Sequence, residues 1–211
     1  MGVLPNSQNP HLILWDISSI LLTFDPMRGS AQPIYFIDNN QVSLNSNPLP
    51  TLIIGYGNMD RQDDGVAWTI IKEVAERLAI IQPSADEPQV SSADGYLTMI
   101  IALQLLPEMA ELVAQYERVS FVDAHTGRVP ADLSIDSLDA EFQKSPFTHH
   151  LTPQTCLSLS KTLYGKSPTA ELVSVRGYEF GFSNNLSTRT RMLANQAVNH
   201  IRKWLEERTN P

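Results

Sequence analysis

The chain has 211 residues, of which 42% are hydrophobic and 18% charged, a balance typical of one globular domain with some additional length. Fifteen basic and 23 acidic residues give a formal net charge of -8, which argues against nucleic acid and anionic membrane surfaces as partners. A single cysteine, Cys156, excludes an intramolecular disulfide framework and favours a reducing compartment.

Residues 1–50 differ in composition from the rest of the chain, being rich in Pro, Asn and Ser. We interpret them as an N-terminal extension of unknown role that contributes no ligand to a functional site. The apolar stretch at 12–24 is interrupted by Asp16 and other polar residues, and no Lys or Arg precedes it. It therefore resembles neither a secretory signal nor a membrane span, and we predict a cytoplasmic protein.

The regular pattern begins at 51–55, a short apolar run that predicts a strand covered on both faces. A glycine-rich loop follows, and Asp63 and Asp64 then open a helix with apolar residues at steps of three and four. Ser187 is the expected N-cap of the last helix. The other predicted elements are helices at 103–115 and 153–164, and strands at 89–93, 119–123, 133–135 and 171–175.

Alternating strands and helices predict that 51–211 form an α/β domain, a three-layer α/β/α sandwich around a mostly parallel sheet. The strand at 51–55 should be central. Ligands of such sheets bind beyond the carboxyl ends of the strands. Asp64 follows the first strand and Asp123 ends a later one, so both are expected at that edge.

Taken singly, the candidate residues have ordinary structural explanations. The loop at 55–58 lacks the third glycine of a dinucleotide fingerprint, which favours a tight strand-to-helix turn. One carboxylate of the acidic pair can cap a helix while the other stays free. Asp123 can start a turn, and His149 and His150 can be surface residues. Together, two carboxylates and a histidine form a nitrogen and oxygen set suited to zinc or nickel, or to positioning water for peptide hydrolysis.

Three motifs, in this order, resemble those of the hydrogenase maturation proteases. Residues 55–66 are similar to the opening motif, a Gly-x-Gly-Asn loop followed by an acidic pair and a glycine. Residues 121–124 resemble the second motif, and 148–151, followed by a helix ending near Gly165, resemble the third. The resemblance extends from about Leu52 to Arg208 and leaves the first fifty residues uncovered.

The resemblance implies an endopeptidase that removes the C-terminal tail of a nickel–iron hydrogenase large-subunit precursor after nickel insertion. Asp64, Asp123 and His149 would bind the metal, with the two aspartates also catalytic. His149 fits the family pattern Ser/Thr-His-x-apolar, and His150 is the alternative. The nickel would come with the substrate, while zinc or another divalent ion can occupy the isolated protein.

The sequence departs from the family pattern at two positions, and two other functions are compatible with it. Ala67 stands where many relatives carry a glycine, and Leu103 where they often carry a histidine. A hydrolase using Cys156 is the rival enzyme, although a cysteine inside a predicted helix is usually an inert buried thiol. The other rival is a non-enzymatic nickel-binding or hydrogenase-docking maturation factor.

Overall fold

The computed structural model describes residues 49–127, 129–141 and 151–207. Its strands are β1 (Thr51–Tyr56), β2 (Gln89–Ser91), β3 (Leu97–Ala102), β4 (Arg118–His125), β5 (Leu133–Leu138) and β6 (Thr169–Arg176). Its helices are α1 (Val66–Arg77), α2 (Met109–Val113), α3 (Pro153–Tyr164) and α4 (Thr188–Glu206), and a 3₁₀ turn at Gln62–Gly65 precedes α1. No helix in these ranges is long and apolar enough to span a membrane.

The six strands form one mixed sheet in the order β2-β3-β1-β4-β6-β5. The inner pairings β1–β3, β1–β4 and β4–β6 are parallel, whereas the edge strands β2 and β5 pair antiparallel. Strand β1 is buried along nearly all its length, because the sheet is covered by helices on both faces. The α/β sandwich with a central first strand is thereby confirmed.

The two faces of the sheet carry separate apolar cores. Side chains that alternate along β1 point to opposite faces, so Ile53 packs with α1 and α4 while Leu52 and Ile54 pack with α2 and α3. The last helix contributes Ala194, Ala197, Val198, Ile201 and Leu205 to the first core. This three-layer packing fixes the carboxyl ends of β1 and β4 side by side.

Local sequence signals predicted some elements correctly and failed in one region. Helix α3 has the predicted bounds, with Pro153 in its first turn and Gly165 at its end in the left-handed conformation. The prediction of a helix at 103–115 was wrong, since α2 is only five residues long. Pro107 disfavours helical geometry in the residue before it, so the helix begins later. Strand β3, an apolar run between β2 and β1 in the sheet, was missed.

Candidate active site

Strands β1 and β4 bring Tyr56 and Asp123 together at the carboxyl edge of the sheet. Gly55 pairs with Val122 in the register, so the next residue on each strand is adjacent to the other. The Tyr56 hydroxyl donates a hydrogen bond to the Asp123 carboxylate, and the Ala124 N–H donates to Asp123 Oδ1 at 2.7 Å. Asp123 is therefore held in one orientation by its neighbours while remaining half-buried.

The loop after β1 folds over Asp64 and fixes that side chain. The Asn58 N–H donates to Asp64 Oδ2 at 3.0 Å, and the Trp68 indole N–H donates to the Gly57 carbonyl at 2.9 Å. Gly57 has φ +140°, and a Cβ there would collide with the Asp64 carbonyl oxygen. The second glycine of the motif is thus required by the close approach of the loop to Asp64.

The first glycine of the motif serves the packing of α1 against β1. A Cβ on Gly55 would lie 2.5 Å from Ile71 Cδ1 and 3.2 Å from the Ala67 methyl. Ala67, at one of the two departures from the family pattern, is fully buried at this contact. The additional methyl fits here because Gly55 provides the space.

Asp63, the other member of the acidic pair, is completely buried and stabilises the fold. Its carboxylate accepts hydrogen bonds from the Tyr178, Glu179 and Ser187 N–H groups and from the Ser187 and Thr190 hydroxyls, at 2.7–2.9 Å. Burial alone would raise the pKa of Asp63, but these hydrogen bonds, led by the Tyr178 amide, outweigh it and lower the pKa below its usual value. The pair therefore divides into one structural and one site carboxylate.

The environment of Asp123 has the opposite effect on its acidity. Burial raises the pKa of Asp123 to about 7, against the lowering effects of the Ala124 amide and the Tyr56 hydroxyl, and the negative charge of Asp64 raises it further. Asp64 and Asp123 are thus electrostatically coupled, with proton exchange at Asp123 near neutral pH. Two carboxylates in this arrangement can accept a cation or exchange a proton with water.

The comparisons with known proteins place this geometry in a known fold. No family model and no curated protein matches the chain. Among solved structures it is similar to the hydrogenase maturating endopeptidase HybD from E. coli, with 16% identity and a TM-score of 0.55 over 75% of this chain and 93% of the other. The chain has the fold of the hydrogenase maturation endopeptidases. The family resemblance of the sequence motifs thus agrees with the observed architecture.

Two further solved structures have the same hydrogenase maturation endopeptidase fold. The [NiFe] hydrogenase maturation protease HycI from Thermococcus kodakarensis KOD1 is 21% identical, with a TM-score of 0.51 over 77% of this chain and 96% of its own. An endopeptidase from Escherichia coli is 18% identical, with a TM-score of 0.53 over 75% of this chain and 93% of its own. The likeness extends over nearly the whole length of each neighbour.

The third predicted ligand lies outside the described residues, as does its alternative, so His149 and His150 stay predictions. Within 49–127, 129–141 and 151–207 no group of three or more His, Cys, Asp or Glu side chains is arranged to hold a metal ion. The described part of the chain contains Asp64 and Asp123 of the predicted set, and the charge of Asp64 acts on Asp123.

Two residues beside Asp123 were not singled out by the sequence analysis. Tyr56 was treated only as part of the glycine-rich loop, although its hydroxyl orients Asp123. His125, two residues further along β4, accepts a hydrogen bond at Nδ1 from the Gly127 N–H at 3.2 Å, and its buried Nε2 has no hydrogen-bond partner among the described residues. Strand periodicity places His125 on the same face as Asp123, which is the signal that could have found it.

Cys156, the nucleophile of the rival enzyme, lies inside the protein. Cys156 is fully buried in α3, and burial raises the pKa of its thiol to about 12, so it is protonated at neutral pH. This argues against a cysteine hydrolase.

Leu103, the second departure from the family pattern, directly follows β3 at the same sheet edge as Asp64 and is 63% exposed. A histidine there is not required for the fold.

Proposed function

We propose that the protein is an endopeptidase that removes the C-terminal tail of a nickel–iron hydrogenase large-subunit precursor after nickel insertion. The proposal rests on the fold shared with hydrogenase maturation proteases and on the motifs that carry Asp64 and Asp123. The observation that carries it is the coupled carboxylate pair at the carboxyl ends of β1 and β4, the edge at which ligands of such sheets bind.

The nickel in this proposal belongs to the substrate and completes the site on binding. The charge of Asp64 disfavours the ionised form of Asp123, and a divalent cation presented between the two would relieve that repulsion. His149 would supply a nitrogen ligand, giving a mixed set that suits nickel or zinc. A precursor without nickel lacks this interaction, so selectivity follows from differential binding.

The chemistry assigned to the carboxylates is proton transfer to and from the reacting groups. With a pKa of about 7, Asp123 can accept a proton from the attacking water and return it to the leaving amine at neutral pH. The hydrogen bond from Tyr56 keeps the Asp123 carboxylate in a fixed orientation for both transfers. Asp64, held by the Asn58 N–H, positions the metal-bearing end of the substrate.

The decisive experiment incubates the purified protein with a large-subunit precursor, with and without nickel, and follows loss of the C-terminal tail by mass spectrometry. We expect cleavage at one position of the nickel-loaded precursor only. Equal cleavage of the nickel-free precursor would refute the metal-recognition mechanism. Binding without cleavage of any nickel-loaded precursor would favour the non-enzymatic maturation factor.

A further inference from the structure

Phe182 is the most exposed large hydrophobic side chain among the described residues, at 96% of its full accessible area. It lies in the loop of residues 177–187 between β6 and α4, which we name the 177–187 loop. Burying a phenylalanine side chain is favourable because it removes a large apolar surface from water. The isolated chain forgoes that stabilisation, which a partner covering Phe182 would gain.

The backbone on both sides of Phe182 is fixed by hydrogen bonds to the segment before α1. On one side the Gly181 N–H donates to Gln62 Oε1 at 2.6 Å. On the other side the Ser183 N–H donates to the Asp60 carbonyl at 3.1 Å, and the Ser183 carbonyl accepts from the Gln62 N–H at 2.7 Å. The exposed ring is therefore displayed on a rigid support.

Both ends of the 177–187 loop are also fixed to the core through Asp63. The Tyr178, Glu179 and Ser187 amides all donate to that buried carboxylate, and the Arg189 guanidinium stacks 4.0 Å from the centre of the Tyr178 ring. A loop ordered in this way loses little conformational entropy when a partner binds. Such preorganisation increases affinity without any additional contact.

The chain segment that carries Phe182 has the composition of an interface centre. The seven residues from Phe180 to Leu186 carry no charged side chain, in a chain whose residues are 18% charged. Charged residues are depleted, and aromatic residues enriched, at the centres of protein interfaces. The facing segment adds the exposed residues Asp60 and Arg61, the latter paired with Ser183, as the polar rim beside an aromatic anchor.

The segment that supports the 177–187 loop indicates which partner would cover Phe182. The segment at 60–63, which holds both neighbours of Phe182, continues directly into Asp64. A protein seated on Phe182 therefore lies against the segment that leads into Asp64. We propose that Phe182 is the docking anchor that inserts into an apolar pocket of the folded large-subunit precursor; this inference rests on the proposed function.

The test replaces Phe182 by Ala and by Leu in the full-length protein and measures processing of nickel-loaded precursor. We expect Phe182→Ala to raise KM by about tenfold or more while kcat changes less than about twofold, since the anchor binds away from the reacting bond. Phe182→Leu should recover much of the loss. Leu163→Ala is the matched control, because Leu163 is 63% exposed at the end of α3 that leads to the amino end of β6.

A second measurement separates docking from cleavage. Precursor binding is compared between Asp64→Asn and the double variant Asp64→Asn/Phe182→Ala by interferometry, where we expect the same tenfold difference in Kd. An unchanged KM and Kd for Phe182→Ala would overturn the anchor while leaving the proposed function intact. Binding that depends on Phe182 in a protein that cleaves nothing would retain the anchor and refute the peptidase.

Two further outcomes would overturn the anchor. One is the absence of any precursor binding by the wild-type protein, which would refute the proposed function as well. The other is self-association that Phe182→Ala abolishes while precursor binding stays unchanged. Sedimentation of the isolated protein detects this result, which would assign Phe182 to a contact with a second copy of the chain.

Discussion

Asp63 and Asp64 are neighbours in the sequence but differ in burial and in hydrogen bonding. Asp63 is fully buried and accepts five hydrogen bonds, which lower its pKa. Asp64 accepts a hydrogen bond from the Asn58 N–H and remains half-buried, and its negative charge raises the pKa of Asp123. The acidic pair thus joins a structural anchor to the carboxylate of the proposed site within one short turn.

Asp63 holds the turn that carries Asp64 in a fixed position. Asp63 fixes the 177–187 loop and, through Ser187 and Thr190, the start of α4. The same turn carries Asp64, so the backbone position of this residue is set by the buried hydrogen bonds of Asp63, in addition to the bond that its own side chain accepts from the Asn58 N–H. Functional groups held by such surrounding bonds keep their geometry without contributing much to stability.

The largest expected effect is on processing by the Asp64→Asn variant. The amide oxygen of Asn can still accept the Asn58 N–H, so the loop should stay in place while the charge is lost. We expect processing of nickel-loaded precursor to fall by about a thousandfold or more. Asp123→Asn should have a similar effect. The measurement is the initial rate of tail removal, together with the urea midpoint of each variant.

Asp60→Asn is the matched control for this prediction, because Asp60 is an exposed carboxylate in the same loop. It should process the precursor at the wild-type rate. If Asp64→Asn retained full activity with an unchanged urea midpoint, Asp64 would not belong to the site. Equal losses in Asp60→Asn and Asp64→Asn would assign the effect to loop charge in general.

The next effect is on stability, in the Asp63→Ala variant. Removing the carboxylate leaves several buried donors without an acceptor, at about 1–3 kcal/mol each and less than additive in sum. We expect the free energy of unfolding to fall by about 3–5 kcal/mol in urea denaturation followed by circular dichroism. Asp64→Ala should cost about 1 kcal/mol or less. Similar losses in the two variants would contradict the division of roles between the neighbours.

A third prediction concerns pH, because the pKa of the structural carboxylate, Asp63, is lowered in the folded protein whereas the pKa of Asp123 is raised. The lowered pKa of Asp63 gives stability that is present above the unfolded pKa near 3.8 and is lost as the pH falls through the folded value. The raised pKa of Asp123, about 7, instead makes its ionised form a cost that grows as the pH rises from about 4 to 7.

Urea unfolding of the wild-type protein and of Asp123→Asn at several pH values tests this sign. Relative to the variant, the wild-type protein should lose about 2 kcal/mol between pH 4 and pH 8, a value reduced for the half-burial of the side chain. The difference should level off above about pH 7.5. A constant difference across this range would mean that the pKa of Asp123 is not raised.

Local signals in the sequence explain which parts of the fold could be predicted. Pro153 and Gly165 delimit α3, and Ser187 caps α4 by accepting a hydrogen bond from the Thr190 N–H, because each of these effects acts within one helical turn. The positions of Asp64 and Asp123 followed from the rule for parallel strands. These predictions needed no knowledge of distant contacts.

The remaining features depend on contacts between distant parts of the chain. No local pattern shows that Asp63 binds Tyr178 and Ser187, more than a hundred residues later, instead of capping its own helix. The contact between Tyr56 and Asp123 likewise depends on the pairing of β1 with β4. Strand β3 was missed because its apolar run merges with the apolar residues that follow it, and only the sheet distinguishes them.

The smallest predicted effect concerns the hydrogen bond from the Tyr56 hydroxyl to Asp123. This bond favours the ionised carboxylate and so holds the pKa of Asp123 below the value that burial alone would give. In Tyr56→Phe the ring still fills its space, but the donor is gone, so the pKa of Asp123 should rise by about 0.5–1 unit. Carbon-detected NMR titration of the Asp123 carboxyl would measure it directly.

Tyr164→Phe is the matched control for this last prediction, because Tyr164 is an exposed tyrosine at the end of α3 and its loss should leave the titration of Asp123 unchanged. If Asp123 acts as the proton acceptor, the lower inflection of kcat/KM against pH should move upward with its pKa in Tyr56→Phe. A moved carboxyl titration with an unmoved rate profile would keep the hydrogen bond but remove Asp123 from the proton transfer. A pKa that falls in Tyr56→Phe would show that the hydroxyl favours the protonated acid instead.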